Sequence, residues 1–153
     1  MNKPFKYYWE DFAAGSGREY GGITLSAEDI VRFAREFDPQ PFHVDPEAAR
    51  TSVYGGLIAS GWHTCALTMR MMCDAYLLDS ASQGSPGVED IKWLKPVRPG
   101  DTLRAGYTVL ESRLLESDPN MGLIRMQWRM LNQKDECVMQ MLTGGMFRRR
   151  PLP

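Results

Sequence analysis

The chain has 153 residues, 43% of them hydrophobic, with 18 lysines and arginines against 19 aspartates and glutamates. That length fits one domain with a full core, and a net charge of -1 argues against a nucleic-acid binder, which needs a concentrated basic face. No apolar run approaches the ~20 residues that cross a bilayer. Residues 1–6 lack the apolar stretch of a signal peptide. The protein is therefore expected to be cytoplasmic, with no membrane partner. Its three scattered cysteines, Cys65, Cys73 and Cys137, are expected to be reduced and mostly buried. The only basic run, Arg148-Arg149-Arg150, reads as a solvated tail. Without repeats, low-complexity blocks or long linkers, residues 1–153 are expected to form a single domain.

Residues 18–25 have the pattern of a short strand. Ser26 then opens a helix, with Asp29 three residues on completing a capping box. Ile30, Phe33, Ala34 and Phe37 give that helix one apolar face. It ends at Asp38-Pro39, because a residue before proline is pushed out of the helical region. Residues 38–43 are predicted to be a stiff loop, since Pro39 and Pro41 fix two of its φ angles. Asp45 caps a short helix with Pro46 in its first turn, and Gly55-Gly56 ends it. The longest helix is predicted from Ser60 to about Leu78. Along it Trp62, Ala66, Met69, Cys73 and Tyr76 recur at threes and fours, a broad apolar side expected to be largely wrapped by other structure.

Beyond the loop 80–87 the apolar period changes from 3.6 to 2. Ile91 and Trp93 alternate with Lys92, then Leu103, Ala105, Tyr107 and Val109 with polar neighbours, then Ile124, Met126, Trp128 and Met130 with Arg125, Gln127 and Arg129. A last segment, 137–147, is apolar on both sides. Hairpin-like turns are predicted at Pro99-Gly100-Asp101, Asp118-Pro119-Asn120 and 132–135. The expected class is α+β, an antiparallel β-sheet with a long buried helix lying on it.

Only two histidines exist, which narrows the search for a general acid or base. His43 lies five residues after Asp38 in the proline-stiffened segment. A carboxylate and an imidazole there can hold a water between them, take a proton from it and return one elsewhere. The plain alternatives are that Asp38 only stops a helix and that His43 is a hydrogen-bonded structural side chain. Ser60-Gly61-Trp62 opens the long helix, where the first amides lack partners and the dipole is positive. Gly61 would let a ligand oxygen approach its N–H, and a carbonyl gaining negative charge would be stabilised there. Against that stands the reading of Ser60 as an N-cap and Gly61 as a packing glycine. His63 and Cys65 are too few for a metal site; His63 is expected near a cleft entrance. Most of the ten methionines are core filler, with a few available to shape a pliable pocket.

Asp38-x-Gln40-Pro41-x-His43 resembles the hydratase motif of MaoC-like proteins and (R)-specific enoyl-CoA hydratases, usually D-x-N-P-x-H. Leu57-Ile58-Ala59-Ser60-Gly61 resembles that family's entry into its central helix. Residues 93–103 (Trp-Leu-Lys-Pro-Val-Arg-Pro-Gly-Asp-Thr-Leu) resemble its strand-turn-strand segment, and Tyr8-Trp9-Glu10-Asp11-Phe12 its opening. The similarity runs in order along nearly the whole chain. It implies a hot-dog fold, a sheet wrapped around a long central helix. It implies further that Asp38 and His43 activate water for addition to a trans-2-enoyl thioester, or remove it from a 3-hydroxyacyl thioester. Gly61 N–H would bind the thioester carbonyl, with Gln40, Phe42, Ser60 and Trp62 around the substrate. No metal or redox cofactor is called for. The implied partners are an acyl-CoA thioester and a second copy, as a homodimer or higher homo-oligomer with the cleft at the subunit interface.

Gln40 departs from the family's asparagine by one methylene, which bears on substrate and rate more than on reaction class. Two other readings remain: an acyl-CoA thioesterase of the same fold, and a non-catalytic acyl-CoA-binding protein. Phe42, Tyr54 and Trp62 hint at a restricted pocket.

Overall fold

The computed structural model describes residues 4–152, so Met1–Lys3 of the N-terminal reading lie outside the described residues. Its core is a five-stranded antiparallel sheet in the order β1-β3-β4-β5-β2. The strands are β1 (Gly17–Thr24), β2 (Val88–Trp93), β3 (Thr102–Leu114), β4 (Met121–Leu131) and β5 (Cys137–Arg148). Four helices precede β2: α1 (Ala27–Phe37), α2 (Pro41–Val44), α3 (Pro46–Arg50) and α4 (Gly61–Ala75). The sheet curls around α4, which packs on β1, β3 and β4. This is the hot-dog arrangement expected from the sequence.

Strand alternation decides what faces α4. Leu103, Ala105, Tyr107 and Val109 of β3 are buried, as are Ile124, Met126, Trp128 and Met130 of β4. Each large side chain so removed from water contributes roughly 1.5–3 kcal/mol. Phe12 closes the core at the N-terminal side, 4.7 Å from Phe147 and 5.5 Å from Tyr76 between ring centroids.

The expected capping box on α1 is present, with Ser26 Oγ accepting from Asp29 N and the Asp29 carboxylate accepting from Ser26 N. Asp45 caps α3 as predicted, accepting from Glu47 N and Ala48 N. Other expectations are corrected. Residues 38–43 are not wholly loop, because Pro41 sits at the first position of α2, where its fixed φ suits a helix. The helix after Asp45 ends at Arg50 rather than at Gly55-Gly56. The Pro99-Gly100-Asp101 turn does not make a hairpin: β2 lies at the far edge against β5, so the chain crosses the sheet from β2 to β3.

Two further corrections concern surfaces. Trp62, Ala66 and Met69 lie on the open side of α4, and the buried side carries His63, Thr64, Thr68, Met71 and Met72. Buried Thr68 satisfies its hydroxyl within the helix, donating to Thr64 O at 2.9 Å. The C-terminal arginines are not a free tail. Arg149 pairs with Glu10 at 3.2 Å, and Arg150 with Asp11 at 2.7 Å while lying over the Tyr8 ring. Among the described residues no helix is long and apolar enough to cross a membrane.

Candidate functional site

Three short-range features bring Asp38 and His43 together. Asp38 is the C-cap of α1, its N–H donating to Ala34 O at 2.8 Å. Gln40 N–H then donates to Asp38 O at 2.8 Å and His43 N–H to Gln40 O at 2.9 Å, so the chain turns back at the prolines. As a result His43 Nε2 lies 3.4 Å from Asp38 Oδ2. That spacing leaves no room for a water between the two atoms. A water bonded to both must sit beside the pair, toward the cleft.

Each group is held on its other side. Gln40 Nε2 donates to Asp38 Oδ1 at 2.8 Å, and Ser60 Oγ donates to Asp38 Oδ2 at 2.7 Å. Burial pushes the Asp38 carboxyl up, but these two bonds and the nearby His43 charge outweigh it and hold the carboxyl below its ordinary range. His43 is buried, and its Nδ1 lies 2.8 Å from Ile58 O. A carbonyl only accepts, so Nδ1 carries a proton and Nε2 is the nitrogen turned toward Asp38.

Ser60, fully buried, does two things with one hydroxyl. Its proton goes to Asp38, and its oxygen accepts from Trp62 N–H at 3.2 Å, capping α4. Gly61 is the first residue of that helix, and its N–H donates to no atom among the described residues. The reason for the glycine differs from the expectation. A Cβ there would lie 2.4 Å from the Trp93 indole, which packs on the Gly61 backbone and donates Nε1–H to Gly61 O at 3.0 Å. The packing reading of Gly61 thus accounts for its lack of a side chain, while the amide stays unpaired.

These groups line one cleft of about 540 Å³ that includes Asp38, Gln40, His43, Gly61, Trp62 and Trp93. Phe42 lines it too, its ring edge-on to His43 at 4.5 Å and 5.2 Å from the Tyr54 ring. Ser60 lies behind the wall rather than in it. The cleft rim carries Lys95, which pairs with Glu136. His63 is not at the entrance: it is buried against α1, stacked on Phe33 at 4.4 Å with 5° between ring planes. Burial holds its pKa below the ordinary 6.5. Cys65 borders a separate groove, and among the described residues no three acidic, Cys or His side chains gather as metal ligands would.

Ile58 and Trp93 are the site residues whose roles sequence reading missed. Both stood in segments picked out by resemblance. Yet a carbonyl that orients an imidazole 15 residues away, and an indole that covers a glycine 32 residues away, leave no local pattern.

The family model described as "MaoC like domain" matches residues 11–122, and the chain belongs to that family. An uncharacterized protein of Bacillus subtilis, YdeM, is 30% identical over 82% of this chain and 88% of its own length. The 3-hydroxyacyl-thioester dehydratase Z of Mycobacterium tuberculosis is 32% identical over 62% of this chain; the match spans 66% of that protein. The crystal structure of a MaoC-like dehydratase from Rhodospirillum rubrum superposes with a TM-score of 0.88 at 42% identity, over 95% of this chain and 99% of that one.

Proposed function

We propose that the protein catalyses hydration of a trans-2-enoyl thioester or dehydration of a 3-hydroxyacyl thioester, the acyl group being carried on coenzyme A. The observation that carries this is the convergence of Asp38 and His43 at 3.4 Å in a cleft that also holds an unpaired helix-start amide. The similarity to a 3-hydroxyacyl-thioester dehydratase supports the reaction class.

Water bonded to both groups donates one hydrogen to Asp38 Oδ2 and the other to the Nε2 lone pair of His43. His43 takes the proton as the water oxygen bonds to the β-carbon, and Asp38, held ionised by Ser60 and Gln40, orients the water. The imidazolium is then stabilised by the adjacent carboxylate. The electron pair of the double bond moves toward the thioester oxygen, where Gly61 N–H at the positive end of α4 stabilises it. The Asp38/His43 pair returns a proton to the α-carbon, and the thioester is conserved throughout.

The chain works in the cytoplasm as a homodimer or higher homo-oligomer. The apolar stripe Trp62, Ala66 and Met69, beside the edge strand β2, is the face a second copy covers. The test is loss of the conjugated-thioester absorbance with purified protein and crotonyl-CoA, with free thiol followed in parallel. Absorbance loss without thiol release is expected. Thiol release, or no turnover across short, long, branched and dicarboxylic enoyl-CoAs, would reject the assignment.

A further inference from the structure

The second histidine is buried and has no part in the proposed chemistry. His63 lies in the first turn of α4, on the side turned into the protein, and does not line the Asp38/His43 cleft. Its Nδ1 is shut away from water with no hydrogen-bond partner among the described residues, and its ring lies flat on Phe33 of α1. This stack stands at the two helix ends that build the site. On α1, Phe33 is followed by Ala34, whose carbonyl accepts the N–H of the C-cap Asp38 at 2.8 Å. On α4, His63 follows closely on the N-cap Ser60, whose hydroxyl donates to Asp38 Oδ2 at 2.7 Å. The stack and that hydrogen bond thus tie the same pair of helix ends, one by apolar contact and one by a shared proton.

The surroundings of His63 suit a neutral ring only. A neutral imidazole leaves one nitrogen as a bare lone pair, so an unpartnered Nδ1 is tolerated. The protonated ring donates at both nitrogens, and Nδ1–H would then be a buried donor without an acceptor. The charged groups that face the ring are Asp29 and Arg32, both on α1, and they act on it in opposite senses. Asp29 is already engaged, accepting from Ser26 Oγ at 2.8 Å and from Arg32 at 2.7 Å. The first turn of α4 brings no acidic residue. A phenyl face attracts a cation, but it supplies no acceptor for the second N–H. Burial accordingly holds the ring's pKa below the ordinary 6.5. To take up a proton and hydrate it, the ring has to leave Phe33, which parts the start of α4 from α1.

We propose that His63 is a positioning residue for Asp38: stacked neutral on Phe33, it registers the end of α1 against the start of α4, and its protonation releases that register. The proposal rests on the hydratase reading for what the register serves, and it adds an acid-side control of that same site. His63 acts through Phe33 and the α1 end. With the register lost, Ser60 and Asp38 part, and the carboxylate no longer presents Oδ2 beside His43. Misplacing a reacting group by about 1 Å can cost roughly 100-fold in rate, so the contact acts on kcat more than on KM.

Two measurements test it together. The first is kcat and KM for crotonyl-CoA at pH 7.5 in the wild type, His63→Phe and His63→Leu, each assayed well below its Tm. His63→Leu fills the space without a flat ring and should lose about tenfold or more in kcat with KM little changed. His63→Phe keeps the flat ring and should restore kcat to within about threefold of the wild type. The second follows the Asp38 carboxyl and the His63 ring by carbon-13 NMR as the pH falls. In the wild type the Asp38 resonance should step at the pH where the His63 ring titrates, and the step should be absent in His63→Phe. It should also shrink in Ser60→Ala, where the bond it reports is already gone; a step of full size there is a charge felt through space and counts against the proposal. Full kcat in folded His63→Leu, a step that persists in His63→Phe, or a His63 titration that leaves Asp38 unmoved overturns it. So does a ring that stays neutral until the chain unfolds. If no enoyl thioester reacts, the hydratase reading fails on its own, and the NMR coupling of His63 to Asp38 still decides the positioning.

Discussion

Replacing Ser60 with alanine should loosen the Asp38 carboxylate and the start of α4 together, because one buried hydroxyl serves both. Loss of an N-cap costs roughly 1 kcal/mol. Loss of a hydrogen bond to an ionised group costs about 1.5–3 kcal/mol. The Asp38 side chain is 17% exposed, so water recovers part of the second amount. A total near 2 kcal/mol is expected, a fall in Tm of roughly 4–8 °C for a chain of this size. The bond favours ionised Asp38, so its loss also shifts the carboxyl upward, which NMR titration of the Asp38 side chain reads directly. Ser60→Gly separates the two effects, since glycine caps a helix nearly as well as serine. It should show the same upward carboxyl shift with a smaller loss of Tm. The reasoning is refuted if the carboxyl titration stays put in both variants, or if both lose equal stability.

Gly61→Ala places a Cβ against the Trp93 indole and should destabilise the protein by about 1–3 kcal/mol. A red-shifted tryptophan emission with lowered Tm would report the displaced ring; an unchanged spectrum and Tm would count against the packing account. His63 sets a pH dependence of stability. Its folded pKa lies below the ordinary 6.5, so the unfolded chain binds the extra proton first, and stability present above about pH 6.5 is lost as pH falls through the folded pKa. Asp29 and Arg32 of α1 face it with opposite effects, and burial dominates. Urea unfolding at pH 7.5 and 5.5 should show the loss in the wild type and a smaller one in His63→Phe; equal losses would assign it elsewhere.

Much of the fold was legible because its signals are local. The capping box at Ser26, the Asp45 cap and the period-2 runs of β3 and β4 each depend on a few adjacent residues. Strand order was not, since nothing near Pro99-Gly100-Asp101 records that β2 pairs with β5 instead of β3. The burial of α4 was misread for a related reason. Spacing identified the stripe Trp62, Ala66 and Met69, but the curled sheet takes up the face with the threonines and His63. At the site, the pairing of Asp38 with His43 was anticipated from five residues of spacing and a resemblance. The atoms that orient them, Ile58 O and Ser60 Oγ, come from the entry to α4, and only the tertiary fold brings that segment to them.

The most direct measurement of the central claim is kcat/KM for crotonyl-CoA in Asp38→Asn, His43→Gln and the double variant. Acting as one unit on one water, the two groups should each cost roughly 10²–10⁴-fold when changed, with the double variant little worse than the weaker single. Turnover within tenfold of the wild type in either folded single variant, or fully additive losses in the double, would contradict a shared water held by Asp38 and His43.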